Sequence, residues 1–213
     1  WKAFIVTSPN CTSNALILAL KPLKDRFGIR RVLVSTMQAL SGAGWTGVPS
    51  MAITDNVIPY IRNEEEKVER EALKILGRFD GEKIIPADIK ISASCHRVNV
   101  LEGHLEAVFV ELKSDADPEE VKDVMRRFKG RPQELKLPTA PDQPIIVRDE
   151  PDRPQPRLDR YAGGGMSIVI GRVRKDPVLE NGIKFLVLGH NTIRGAAGNA
   201  VLNAELVVRE GYI

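Results

Sequence analysis

The chain is poor in the residues that build covalent or metal cross-links. It holds two cysteines and three histidines in 213 residues, and none of them has the paired Cys/His spacing of a zinc site, so neither a disulfide framework nor a structural metal is expected. Unpaired thiols suit a reducing cytoplasm, where we place the protein from sequence. Aromatic residues make up 5%, too few for a surface that stacks bases. No apolar run reaches membrane-spanning length, and no secretory signal is present. The 31 basic and 28 acidic residues are dispersed and leave a formal charge of +3, which gives nucleic acid no footprint. Internal repeats are absent too. What remains is a globular chain, 43% hydrophobic and 28% charged, long enough for a sizeable core. It opens at Trp1 inside an apolar, β-branched stretch, residues 2–7, that reads as a buried strand. An upstream segment is therefore expected.

One stretch stands out against this background. Ser8-Pro9-Asn10-Cys11-Thr12-Ser13-Asn14 carries a single cysteine where a strand gives way to a helix, with Thr12, Ser13 and Asn14 as capping candidates. A thiol at a helix N-terminus meets free backbone N–H groups and the positive end of the dipole, which favour thiolate and can receive an oxyanion. That suits covalent acyl chemistry, although a lone cysteine is also simply a small buried hydrophobe. The helix continues past Pro22 with a kink and stops at Gly28.

Residues 29–37 then form a strand that leads to Gln38-Ala39-Leu40-Ser41-Gly42-Ala43-Gly44, whose small residues let backbone approach a ligand closely. This is neither a P-loop nor a dinucleotide turn. A helix over residues 64–77 begins with Glu64-Glu65-Glu66-Lys67; Glu64 and Lys67 share a face and can offer a carboxylate and an ammonium to one zwitterion. Residues 89–100 and 104–112 read as two strands of a hairpin, which puts Arg97 and His104 on one face. Arginine grips carboxylates in a fork, and imidazole moves protons near neutrality. Cys95 and His96 compete for the same pocket, but neighbours on a strand alternate.

Asp117 caps a helix with Pro118 at its first position. Residues 131–165, rich in proline and charge, read as an extended excursion over a subunit surface. Two strands follow at 166–173 and 182–188. The last element starts at Asn191-Thr192-Ile193-Arg194-Gly195-Ala196-Ala197 and runs as a helix through Val208.

Taken in order, these motifs resemble aspartate-semialdehyde dehydrogenase, in the branch found in archaea and fungi. Pro9-Asn10-Cys11-Thr12 is similar to its nucleophile motif, Gln38 with Ser41-Gly42-Ala43-Gly44 to its active-site glutamine and cofactor loop, and Glu64 to Lys67 to its substrate helix. Arg97 and His104 match its Arg-x6-His pair, and Asn191 to Ala197 its C-terminal cofactor motif. Five motifs in one order are specific where each alone is not.

The resemblance implies NADPH-dependent reduction of aspartyl phosphate to the semialdehyde through a cysteine thioester, a step toward lysine, threonine and methionine. In that scheme Cys11 is the nucleophile, His104 the acid/base partner and Gln38 an orienting group. Arg97 holds the α-carboxylate, Glu64 the α-amino group and Lys67 the phosphate, while Ser41, Gly42 and Asn191 touch the nicotinamide end of NADP. The charge logic agrees, since a zwitterionic phosphate needs a carboxylate and cations.

The implied architecture is α+β: a mixed, mostly antiparallel sheet with helices on one face, like the second domain of glyceraldehyde-phosphate dehydrogenase. The other sheet face is expected to pair subunits in a homodimer or homotetramer. The family's glycine-rich Rossmann turn and phosphate-binding arginine are missing. We therefore read residues 1–190 as a catalytic and dimerisation domain. Residues 191–213 form a C-terminal helix that packs on an absent NADP-binding domain, and NADP binding by this polypeptide alone is not expected. A malonyl-CoA reductase and a catalytically silent dimerisation module are the other readings.

Overall fold

A computed structural model describes residues 5–213. The described chain starts with extended backbone rather than a strand: residues 5–10 pair with no sheet, and Ile5 is 91% exposed. The expected first strand, residues 2–7, lies partly outside the described residues. Where it is described, it has no neighbouring strand to bury it.

The elements follow as α1 (Cys11–Phe27), β1 (Ile29–Gln38), α2 (Ser50–Ile53), α3 (Glu64–Ile75), β2 (Arg78–Phe79), β3 (Ile84–Ile85), β4 (Lys90–Arg97) and β5 (His104–Leu112). Then come α4 (Pro118–Arg127), α5 (Arg131–Glu134), β6 (Ile145–Arg148), α6 (Pro156–Asp159), β7 (Ile168–Lys175), β8 (Gly182–Gly189) and α7 (Gly198–Arg209). Six strands form one sheet in the order β4-β1-β5-β8-β7-β6. Pairs β1/β4 and β6/β7 are parallel and the other three antiparallel. The expected mixed, mostly antiparallel α+β sheet is present.

The hairpin is not. β1 lies between β4 and β5, so the strands carrying Arg97 and His104 never pair with each other. The link between them instead runs round the end of β1, with Val98 N–H bonded to Gln38 O at 3.0 Å and Leu40 N–H to Val100 O at 2.7 Å. Two strands close in sequence read as a hairpin; only long-range pairing reveals the third strand between them. The 131–165 excursion also contains more order than its composition implies, because Ile145–Arg148 joins the sheet as a parallel edge strand.

Alternation along the strands sends Val32 and Val34 of β1, Val108 and Val110 of β5, and Ile183, Phe185 and Val187 of β8 to one face, all at 3% exposure or less. α1 covers that face with Leu16, Leu20 and Leu23, each fully buried. Cutting any one of these leucines to alanine costs about 2–5 kcal/mol in lost transfer energy and cavity. On the opposite face Leu33 is 47% exposed. α3 seals the free edge of β4: the Glu65 and Glu69 carboxylates accept from the backbone N–H groups of Cys95 (2.9 Å) and Ala93 (3.0 Å). Charged caps of this kind keep an edge from pairing with another chain. α7 is docked through Leu202 against Leu137 and Met166, while Val201 and Val208 point outward. Among the described residues no helix is long and apolar enough to cross a membrane.

Candidate active site

α1 begins at Cys11, and its cap is Asn10, two residues before the first of the expected candidates. The Asn10 Oδ1 accepts from Thr12 N–H (2.9 Å) and Ser13 N–H (3.2 Å). The backbone donors proposed for a thiolate or an oxyanion are thus largely taken by this side chain. Two carboxylates hold the cap in turn: Glu71 accepts from Asn10 N–H at 2.7 Å, and both oxygens of Glu64 accept from Asn10 Nδ2 at 3.0 Å. Glu64 Oε1 also accepts from the Thr12 hydroxyl at 3.2 Å.

The thiol meets an imidazole across the fold. Cys11 Sγ lies 3.2 Å from His104 Nε2, and His104, the first residue of β5, is 1% exposed. Burial, reinforced by the Glu64 carboxylate, pushes the Cys11 thiol up to about 11. This reverses the thiolate expected from the helix N-terminus: desolvation and a facing anion outweigh a dipole whose N–H groups Asn10 already uses. His104 moves the opposite way, down to about 3, because burial and then the neighbouring Arg97 and His190 disfavour a second cation. The resting pair is a thiol and a neutral imidazole.

The backbone of Ala39 anchors the rest. Its N–H donates to His104 Nδ1 at 3.0 Å, and its carbonyl accepts from Arg97 Nη1 at 2.7 Å. Arg97 ends β4 in register with Gln38 at the end of β1, so these two and His104 converge at one end of three adjacent strands. A Cβ on Gly42 would fall 2.8 Å from Arg97 Nη1 and 2.9 Å from His104 Cε1; only glycine lets the backbone pack this close to both side chains. Beside it, Asn191 Nδ2 donates to Ser41 Oγ at 2.7 Å, and Asn191 Oδ1 accepts from Gly103 N–H at 2.8 Å. The turn after Asn191 brings Gly195 so near that a Cβ there would lie 2.7 Å from Cys11 Cβ.

Cys11, His104, Arg97, Gly42, Ser41, Asn191 and Glu64 therefore gather around one site. Gln38 is adjacent, but its amide is turned to the Thr36 hydroxyl (3.2 Å). Lys67 stays outside, exposed on α3 and without an ion pair among the described residues. The competitors separate as alternation requires: Cys95 points inward, fully buried and also raised to about 11 by burial, while His96 turns to the other face and meets Thr36 O at 3.2 Å.

Sequence reasoning passed over Glu106. It sits two residues beyond His104 on the same face, fully buried, with both carboxyl oxygens lacking a hydrogen-bond partner. Burial and then Glu64 lift its carboxyl well above the usual range, so it is a neutral acid under the site. An acidic residue at an inward position of an alternating strand was the available signal.

A mixed sheet that brings a cysteine at a helix start to a buried histidine at a strand start defines a class, and comparison with known proteins identifies it. Residues 20–194 match the family model of the semialdehyde dehydrogenase dimerisation domain, and the chain belongs to that family. It is 61% identical over 213 residues to an aspartate-semialdehyde dehydrogenase of Archaeoglobus fulgidus, covering 100% of this chain and 60% of that protein. It is 44% identical over 217 residues to a malonyl-CoA reductase (NADP) of Metallosphaera sedula, again covering 60% of the relative. In structure it resembles the aspartate-semialdehyde dehydrogenase of Candida albicans solved with NADP, with a TM-score of 0.87 and 41% identity over 96% of this chain and 57% of that one. The chain thus spans about 60% of the length of the curated relatives it matches.

Proposed function

We propose that this chain is the catalytic and subunit-pairing part of an aspartate-semialdehyde dehydrogenase, which converts 4-aspartyl phosphate to aspartate 4-semialdehyde through a thioester on Cys11. The observation that carries this is the 3.2 Å approach of Cys11 Sγ to His104 Nε2, with the Arg97 guanidinium and Gly42 close beside the imidazole.

Cys11 attacks the γ-carbonyl and phosphate departs. Arg97, whose Nη1 is fixed on Ala39 O, presents the rest of its fork to the α-carboxylate. Lys67 reaches the phosphate from solvent, where its long side chain is free to swing. Gln38 releases Thr36 to orient the acyl group. Glu64 takes the α-amino group while keeping Asn10 in place. Gly42, flanked by Ser41 and Asn191, keeps side-chain bulk away from this end of the site, where the flat nicotinamide end of NADPH would supply hydride when bound. The chain has no glycine-rich turn for the dinucleotide phosphates, so residues 1–190 act as the catalytic and dimerisation unit and residues 191–213 as the helix facing a separate NADP-binding domain. Two copies pair through the open sheet face around Leu33 in a homodimer or a dimer of dimers. A cytoplasmic location is part of this reading, supported by two unpaired thiols.

A second reading is supported by Glu64. The residue that would distinguish an amino acid substrate is 6% exposed and bonded to Asn10 and Thr12, so an acyl-CoA without an amino group is an alternative donor. Mass spectrometry of the Cys11 peptide after exposure to 4-aspartyl phosphate, or separately to malonyl-CoA, tests both. A hydroxylamine-labile aspartyl adduct is the expected result. A malonyl adduct alone selects the second reading, and no adduct from either leaves a silent dimerisation module.

A further inference from the structure

Cys11 and His104 are each seated by a turn, and one histidine outside the pair touches what holds both turns. His190, the residue after β8, is 2% exposed. Its carbonyl accepts from Gly195 N–H at 2.9 Å, and its Nδ1 faces Ile193 N–H at 3.3 Å. A backbone N–H can only donate, so Nδ1 keeps its lone pair and the neutral ring carries its proton on Nε2. Carbonyl and side chain together cap the tight turn Ile193–Ala197. That turn presses Gly195 onto the thiol residue, where an added Cβ would lie 2.7 Å from Cys11 Cβ and 3.3 Å from Cys11 O. The far side of the ring leads to His104. Nε2, buried and without a hydrogen bond among the described residues, lies 3.5 Å from Glu102 Oε2. Glu102 is held from three directions: Oε1 accepts from the Thr192 hydroxyl (3.3 Å), Oε2 from the Tyr161 hydroxyl (3.1 Å), and its carbonyl from Arg160 Nη1 (3.4 Å). One residue on, Gly103 N–H donates to Asn191 Oδ1 at 2.8 Å, and His104 follows.

We propose that His190 is a positioning residue for the Cys11–His104 pair: with its Nδ1 and carbonyl it caps the turn that carries Gly195 onto Cys11, and through Glu102 it backs the turn that leads into His104. This rests on the reading of Cys11 and His104 as the reacting pair. His190 acts through Gly195 and Gly103 and touches no reacting atom itself. Without an acceptor at Nδ1, Ile193 N–H is left unpaired in a part-buried turn, and an unpaired donor there costs enough to loosen it. Gly195 then withdraws, Cys11 gains exposure, and its sulfur is no longer held against His104. The same loss does not reach the leucines of α1 or the rest of the sheet, so the fold survives while the pair drifts apart.

The test compares His190→Asn with His190→Gln in the 213-residue chain. Asparagine puts an amide oxygen where Nδ1 stands and can accept from Ile193 N–H; glutamine reaches as far as Nε2 and leaves no acceptor at Nδ1. Alkylation by iodoacetamide at pH 8, read by peptide mass spectrometry, reports the seating of Cys11, and fully buried Cys95 in the same sample reports general opening. The expected result is Cys11 labelling about tenfold faster in His190→Gln with Cys95 unchanged, and His190→Asn within about twofold of the parent. Amide exchange at Gly195 should follow the same order. Both cysteines accelerating together, equal effects of the two substitutions, or no change in either overturns the proposal. Acylation of Cys11 by 4-aspartyl phosphate gives a readout of opposite sign: His190→Gln should acylate more slowly although its thiol is more exposed, and His190→Asn should keep the parent's rate. Acylation that rises with exposure overturns the positioning role and leaves the acyl-phosphate reading intact. No acylation of the parent overturns that reading, and alkylation and exchange still decide the role of His190.

Discussion

Replacing Glu106 with glutamine removes the one carboxyl that lies fully buried with neither oxygen hydrogen-bonded among the described residues. Its carboxyl is raised well above the usual range by burial and by Glu64, so the folded chain keeps a proton there that the unfolded chain releases near pH ~4.3. Stability from a raised group is fully present below the unfolded value and is lost as pH rises toward the folded one. The loss is about 1.4 kcal/mol per pH unit per proton. From pH 5 upward the parent should therefore lose stability relative to Glu106→Gln, in which nothing titrates at that position, at up to about 1.4 kcal/mol per pH unit for as long as the buried carboxyl keeps its proton. All other groups cancel in the difference, and near pH 5 the two proteins should lie close together, since both side chains are then neutral polar groups of one size. Urea unfolding at pH 5, 6 and 7 with a shared m-value reads the difference directly. A stability gap that stays constant across that range would show that Glu106 is ionised or solvated in the folded chain, and the neutral-acid assignment would fall.

Other expectations follow from single contacts. Asn10→Ala should cost about 1–2 kcal/mol, because α1 loses two cap bonds and Glu64 loses a donor; thermal melts and faster amide exchange at Thr12 and Ser13 check it. Changing Glu65 and Glu69 together to alanine uncaps Cys95 and Ala93 N–H on the edge of β4. Exchange at those two amides should accelerate, and the chain should aggregate more readily on standing. Leu33→Asp charges the open face of the sheet, where Leu33 is 47% exposed. Sedimentation should show the subunit pair dissociating while the urea midpoint of the isolated fold moves little; an unchanged oligomer would place the interface elsewhere.

The element types were largely written in local pattern. Alternation fixed β1, β7 and β8 to within about two residues, Gly28 at φ 68° ended α1, and Asp117 with Pro118 opened α4, because caps and period depend on neighbours a few residues away. The cysteine and the histidine that meet at the site were also legible as candidates, since a cysteine at a helix start and a histidine at a strand start are local features set in recognisable motifs. Three decisions belonged to tertiary structure alone. β1 inserts between β4 and β5 because pairing partners are chosen by burial over the whole sheet, which replaced the expected hairpin yet kept Arg97 and His104 on one face. The Cys11 thiol is held up first by its burial in the folded chain and then by a carboxylate from α3, 53 residues away in sequence, beside a cap that consumes the helix's own donors. And the partner of His104 Nδ1 is the backbone N–H of Ala39, a residue whose side chain carries no chemistry and which only the folded sheet brings to the ring.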